Sequence, residues 1–299
     1  MQNKTRTALI AYAFLAPALI LLAVFTFYPV IYGSYLGFTE YKAANFAAGE
    51  APRFIGLQNF INLFQDELFL KGLWNSVKYI AIVPALQIAA LAIAVAVNRK
   101  LPFMSFFRAA YYIPVITSIA TAAVMWDWIF QKEGTLNWVL MGLNFINEKT
   151  AFGWLNNEHT AIWALMLVTF WRGFGYYMVL YMGGLQAVPE EVEEAAYLDG
   201  ATPFQTFWLV IVPMMRPTLL LCSLLSTFAA IRVLDEVVAL TPGGGPLNST
   251  YTALMYVYQK AFDGFNFDYG MASAAGLIIA VLGIGLSVVQ FRLNKEDRA

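Results

Sequence analysis

The chain is 299 residues long, 60% hydrophobic and 16% aromatic, with 12% charged residues and a formal net charge of -1. A soluble domain carries roughly 25% charged residues, so the composition excludes an ordinary soluble globule and points to a polytopic membrane protein. The near-zero charge argues against a nucleic-acid partner, and the single cysteine, Cys222, excludes an internal disulfide.

With ~20 apolar residues needed to cross a bilayer, six runs qualify, at roughly 8–38, 73–97, 106–130, 160–184, 218–240 and 270–291. The expected fold is therefore an all-α polytopic membrane protein of six transmembrane helices. Lys4 and Arg6 ahead of the first run also suit a signal peptide. The run continues to Phe38, far beyond a signal core, and Pro17 spoils the Ala16–Ala18 cleavage pattern, so it reads as a retained span. Pro29, Pro84 and Pro114 should kink or end their helices.

An even number of spans puts both termini on one side. With the N-terminus inside, Lys4, Arg6, Arg99, Lys100, Arg108, Arg216, Arg292, Lys295 and Arg298 are internal. Lys42, Arg53, Lys71, Lys132, Lys149 and Lys260 are external, and their loops are longer. Basic residues favour the cytoplasm, which sets the orientation.

Between the fourth and fifth runs lies a polar segment with its own helix signals. Pro189 suits a first helical turn, and Glu190 and Glu191 favour its positive end. The helix should run through Ala195, Ala196 and Leu198 and stop at Asp199-Gly200. Thr202-Pro203 reads as an N-cap and first-turn proline for a second short helix. Phe204, Phe207, Trp208 and Ile211 follow at helical spacing, and Pro213 and Pro217 end it. On physical grounds alone this is an amphipathic connector lying along the membrane face.

The string Glu194-Ala195-Ala196, with Gly200 four residues after the second Ala and then Ile211 and Pro213, resembles the EAA loop of permease subunits of binding-protein-dependent ABC importers. The segment Phe54–Phe60 and the turn Thr241–Pro246 are similar to those of sugar permeases of the maltose and glycerol-3-phosphate type, nearer the MalF-like than the MalG-like half. The resemblance implies a type I ABC importer permease fold with a MetI-like core. Residues 1–72 would form an N-terminal helix and external loop, 73–291 the transporter domain with its cytoplasmic loop at 186–217, and 292–299 a tail. In such a protein Glu194, Ala195, Ala196, Asp199 and Gly200 seat in a cleft of the ATPase. The partners implied are a second homologous permease, two ATP-binding subunits, an external solute-binding protein, a carbohydrate and the bilayer. No large external domain is present, so shorter loops must meet the binding protein.

The same resemblance carries the solute path to Thr169, Arg172, Gly173 and Tyr176 before the loop, and to Ser226, Ala229, Ala230 and Val233 after it. The aromatic and amide residues of the maltose site are missing from the second set, so the sugar or its pose differs. Arg172 lies 12 residues into its span, roughly 18 Å from the surface, where a charge needs a wet cavity or a partner. Two readings stay open: Arg172 and Tyr176 contact sugar, or Arg172 pairs with Asp127 or Asp235. Arg232, Asp235 and Glu236 read as a water-facing network near the interface, and Trp171 faces away from Arg172.

No G-x-x-x-x-G-K-[ST] loop, H-E-x-x-H pair or G-x-S-x-G elbow occurs, and His159 is the single histidine. The chain is expected to be no enzyme and to bind no catalytic residue set, metal or cofactor, with ATP and Mg on the partner ATPase. The competing classes are an ion-gradient-driven secondary transporter, which would need its own coupling site, and a membrane scaffold, which would need neither Arg172 nor the loop. Cysteines introduced at Asn3, Asn248 and Asn294 are expected to react from inside, outside and inside; external labelling at Asn294 would overturn the six-span topology.

Overall fold

The computed structural model describes residues 2–99, 101–148, 150–262, 264 and 266–296. Lys100, Lys149 and Arg298 of the charge pattern lie outside them, as do the side chains of Lys4, Arg6, Lys295, Asn3 and Asn294. The chain is mostly helical and divides into two compact units, 1–66 with 257–278, and 67–256 with 279–299.

The first unit begins with α1 (Gln2–Leu22), a wide turn at Ala23–Phe27 and α2 (Tyr28–Leu36). Together they supply an apolar span over Ile10–Leu36. The Tyr28 N–H reaches back five residues to the Ala23 carbonyl. Pro29 follows at once; it has no N–H to give, and the wide turn absorbs the lost bond without a sharp kink. Strand β1 (Thr39–Glu40) pairs antiparallel with β2 (Arg53–Phe54), with α3 (Ala43–Ala47) between them and α4 (Gln58–Gln65) after. Buried Asn59 fixes this corner by donating to the Gly37 and Thr39 carbonyls at 3.0 and 2.8 Å. Arg53 and Lys42 flank Glu40 and hold its carboxyl below the usual carboxylate range, Arg53 most.

In the second unit, α5 (Glu67–Tyr79) and α6 (Ile82–Val97) form one span, Glu67–Val97, with Pro84 in the first turn of α6. The third expected span is not one helix. α7 (Met104–Ile116) and α8 (Ile119–Phe130) meet at 95°. Pro114 sits inside α7, and the break falls later, at Thr117 and Ser118, both with extended ψ. Thr117 turns its hydroxyl back onto the Ile113 carbonyl at 2.8 Å, competing with the helical pattern. α9 (Thr135–Gly142) precedes α10 (Ala161–Gln186), a helix of 26 residues. Length suits α10 for crossing, but it is not one of the three unbroken apolar spans among the described residues, because Arg172, glycines and aromatics dilute it.

The polar loop holds α11 (Glu190–Leu198), α12 (Pro203–Thr206), a wide turn at Phe207–Ile211 and α13 (Val212–Met214). The wide turn again ends two residues before a proline, Pro213. This arm meets α14 (Arg216–Ile231) at 70°. The fifth expected span also breaks, at Arg232–Leu234, before α15 (Asp235–Leu240). Thr252 bonds the Val233 carbonyl at 2.8 Å, which satisfies a backbone group that the helix has released. Asp235 and Glu236 then open α15 at its positive end. α16 (Ala253–Phe262) and α17 (Tyr269–Glu296) complete the chain, α17 supplying the last span, Tyr269–Leu293.

The core of the second unit forms where α6 packs on α10. Leu86, Ala90, Ala94 and Val97 make one helical stripe, and Tyr177, Met178, Tyr181 and Met182 face it. Small residues let the two backbones approach, the usual basis of helix association in lipid. α7 comes closer still to α10 at Gly175, where an added Cβ would strike the Tyr111 backbone carbonyl.

Candidate functional site

Two adjoining chambers lie among α6, α7, α10, α14, α15 and α16. One has a volume of about 200 Å³ and is lined by Thr169, Arg172, Gly173 and Tyr176 of α10, by Ser226, Ala229 and Ala230 of α14, and by Glu236. The other, about 540 Å³, lies toward α15 and shares Thr169, Ala229 and Glu236; Val233 also lines it, and Arg232 and Asp235 give it a polar end. All eight residues named from the sequence for the solute path therefore line one chamber or the other. They come together because Thr169, Arg172, Gly173 and Tyr176 recur at three- and four-residue spacing on one helix face, as do Ser226, Ala229 and Ala230.

The sharpest electrostatic feature is one that sequence spacing did not reveal. Arg172 pairs with neither Asp127 nor Asp235. Its Nη1 donates to Glu236 Oε1 at 3.0 Å. The Glu236 side chain is 10% exposed and that of Arg172 26%, so Glu236 does not belong to a water-facing network. Arg172 Nε is buried and has no protein partner. The break at Arg232–Leu234 makes the pair, by ending α14 and starting α15 with Glu236 in its first turn. Partners 64 residues apart carry no local signal.

Thr169 and Ser226 on the walls, and several polar groups behind them, are bonded within the protein. Thr169 Oγ1 and Tyr79 Oη are 3.2 Å apart. Ser226 Oγ donates to the Cys222 carbonyl at 2.8 Å, so its hydroxyl hydrogen is already engaged. Tyr181 donates to the Gln87 amide oxygen, and Gln87 donates onward to the Cys222 carbonyl at 3.2 Å. Gln87 and Tyr79 were missed in the sequence; an amide inside the otherwise apolar α6 was the available signal. Tyr176 is 42% exposed and presents a ring to the smaller chamber. Trp171 packs edge-on against Trp126 at 5.7 Å, away from Arg172. Among the described residues no group of three His, Cys, Asp or Glu is placed to hold a metal.

The polar loop is a second candidate surface. α11 spans Glu190–Leu198 with Pro189 at its N-cap rather than in its first turn. It ends in a Schellman turn: Gly200 N–H bonds the Tyr197 carbonyl, and Ala201 N–H bonds that of Ala196, both at 3.0 Å. Gly200 has φ +85°, a conformation costly for a side-chain-bearing residue. Thr202 and Gln205 then cap α12 reciprocally. Glu194, Ala195, Asp199 and Gly200 are exposed and Ala196 is half-buried. Leu198, 89% exposed, sits beside them, and Phe204 and Leu209 are exposed on the following arm. Large apolar side chains presented together mark either a membrane surface or a protein partner.

Breaking the ion pair from one side is expected to cost more than removing both charges. Arg172→Leu strands the Glu236 carboxylate and should destabilise the fold by about 3–5 kcal/mol, and the double variant R172L/E236L should recover most of that. Thermal unfolding in detergent measures both; equal losses would mean that the pair is not buried as described.

Residues 78–296 match the family described as the binding-protein-dependent transport system inner membrane component. The chain is 30% identical over 288 residues to the lactose transport system permease protein LacF of Rhizobium radiobacter, covering 95% of this chain and 94% of that one. It is 31% identical over 286 residues to the multiple sugar-binding transport system permease protein MsmF of Streptococcus mutans, covering 95% of each. Its fold is similar to that of a chain from a bacterial ABC transporter that imports the acidic polysaccharide alginate, with a TM-score of 0.79, 19% identity, and coverage of 99% and 98%.

Proposed function

The chain belongs to the family of binding-protein-dependent transport inner membrane components, as a multi-pass permease subunit, and on that premise we propose which solute it passes and how it is driven. The solute is a carbohydrate, an oligosaccharide or related polyol, handed over by an external binding protein. The observation that carries this is the pair of chambers whose walls hold Thr169, Arg172, Gly173, Tyr176, Ser226, Ala229, Ala230 and Val233. An aromatic face next to charged donors and acceptors suits a sugar ring and its hydroxyls. Relatives named for lactose and multiple-sugar transport support the same class.

The chain forms half of the path in a bacterial or archaeal cell membrane, with both termini in the cytoplasm and a second, homologous permease as the other half. Its transporter domain runs over 73–291, after an N-terminal helix and external loop at 1–72 and before a cytoplasmic tail at 292–299. Two ATP-binding subunits attach at the loop 186–217, where Glu194, Ala195, Ala196, Asp199 and Gly200 form the docking segment. Exposed Leu198 beside Glu194 gives that surface an apolar anchor within a polar rim. The chain itself breaks no bond and carries no cofactor; ATP and Mg reside on the partner. Closure of the ATPases moves the docking helices, and the permeases rock between inward- and outward-facing states.

Tyr176→Ala is expected to abolish or retune uptake in reconstituted vesicles while the complex still assembles. Unchanged kinetics for every candidate sugar would remove Tyr176 from the path. Gly200→Val and Glu194→Lys should insert normally, since neither lies in a span, and should lose ATP-driven uptake through weaker ATPase attachment or idle hydrolysis. Wild-type copurification of the ATPase together with wild-type uptake in both variants would reduce the loop to a connector.

A further inference from the structure

Glu236 belongs to both chambers, and with Arg172 it stands where they adjoin. The charged side chains lining the two chambers, among the described residues, are Arg172, Arg232, Asp235 and Glu236. Two cations and two carboxylates balance. The deeper chamber, around Gly173 and Tyr176, has only the Arg172–Glu236 pair, and the Arg172 charge is already answered there at 3.0 Å. A solute with its own carboxylate would find no spare cation in that chamber and would lie against the Glu236 carboxylate. Like charges brought together in a partly dehydrated site repel strongly. An uncharged polyol meets the opposite situation. Glu236 oxygens accept from a hydroxyl, and the Arg172 guanidinium, 26% exposed, carries N–H groups beyond the Nη1 that meets Glu236.

From this we infer that the Arg172–Glu236 pair makes the path selective for uncharged polyhydroxylated solutes, and that Glu236 is the residue that sets this selectivity. The inference rests on the two chambers being the solute path. It does not follow from the fold, since the alginate importer has a similar fold and is named for an acidic polysaccharide. Nor does it follow from the loop that docks the ATPase. Replacing Glu236 by glutamine keeps the size and one acceptor but leaves the Arg172 charge without a counterion. The deeper chamber then becomes cationic, and an acidic sugar becomes the better fit.

The test uses the complex copurified with the tagged full chain, held in phosphatidylcholine nanodiscs. Radiolabelled lactose, maltotriose and digalacturonate serve as neutral and acidic probes, with binding read by equilibrium dialysis. The wild type is expected to favour a neutral probe over digalacturonate by about tenfold or more, and Glu236→Gln to shift that ratio toward the acid by about tenfold or more. Glu236→Asp keeps the charge and should keep the neutral preference. If Glu236→Gln fails to assemble, the double variant R172Q/E236Q removes both buried charges and should bring the two classes to within about threefold. Wild-type binding of digalacturonate as tight as that of the neutral probes would overturn the selectivity and leave the path intact. Retained discrimination in R172Q/E236Q would also overturn it. Binding of no probe by the wild type would sink the path assignment itself, and the selectivity with it.

Discussion

Hydrocarbon offers nothing for an N–H or C=O to bond, so every interruption of a helix within a membrane must bring its own partner. Much of this structure is organised by that constraint. Thr252 meets the Val233 carbonyl where α14 stops. Arg108 places Nε and Nη2 on the Val97 carbonyl, at 3.0 and 2.8 Å, where α6 stops. The same device recurs in loops beyond the spans, where Asn75 holds the carbonyls of Asn248 and Tyr251, and Asn137 those of Lys132 and Phe152. An amide or guanidinium is suited to this task because one group reaches two acceptors or makes two bonds to one. The interruptions then become useful, because a broken helix can aim a charged side chain inward. Without the break at Arg232–Leu234, Glu236 would continue the helical register of α14 instead of opening α15 against Arg172.

The same break explains what the sequence did and did not disclose. Local chemistry was legible. The end of α11 at Gly200, the capped start at Thr202 and the shared face of Arg172 and Tyr176 follow from residues within one or two turns, whereas the rest of the chamber set came from the family resemblance. Hydropathy located the apolar runs but could not see that those at 106–130 and 218–240 bend, because a bent pair and a straight span have the same composition. The partner of Arg172 was illegible for a related reason. Asp127, Asp235 and Glu236 are all acids within reach of a guess, and only tertiary geometry chooses among them. The wide turns at Ala23–Phe27 and Phe207–Ile211 left a trace, a proline two residues after each, that reads as a kink until the spacing is noticed.

The ion pair and the hydrogen bonds around the chambers serve different ends. The Tyr79–Thr169 and Tyr181–Gln87–Cys222 contacts satisfy groups that face apolar neighbours, and they fix α5 and α6 against α10 and α14. They engage Thr169 on the wall and the groups behind it. Arg172 and Glu236 are different, since one guanidinium nitrogen and the remaining carboxylate lone pairs are not consumed by each other. Polar capacity is thus placed where the two chambers adjoin, with Arg232 and Asp235 adding to it in the larger one.

The arm from Pro203 to Met214 has a mechanical consequence. It is stiff at its capped start, wide in the middle and set at 70° to α14. A straight rod passes on only the thrust applied to its end, whereas an elbow turns a sideways displacement of one limb into torque about the other. The limb here begins at the exposed tip of α11, and the axis it would turn is α14, whose far end stops at the release point of Glu236. A rotation of α14 by a fraction of a turn would swing Ser226, Ala229 and Ala230 around the chamber wall together, so a small displacement of the arm would be geared into a change of the chamber's cross-section.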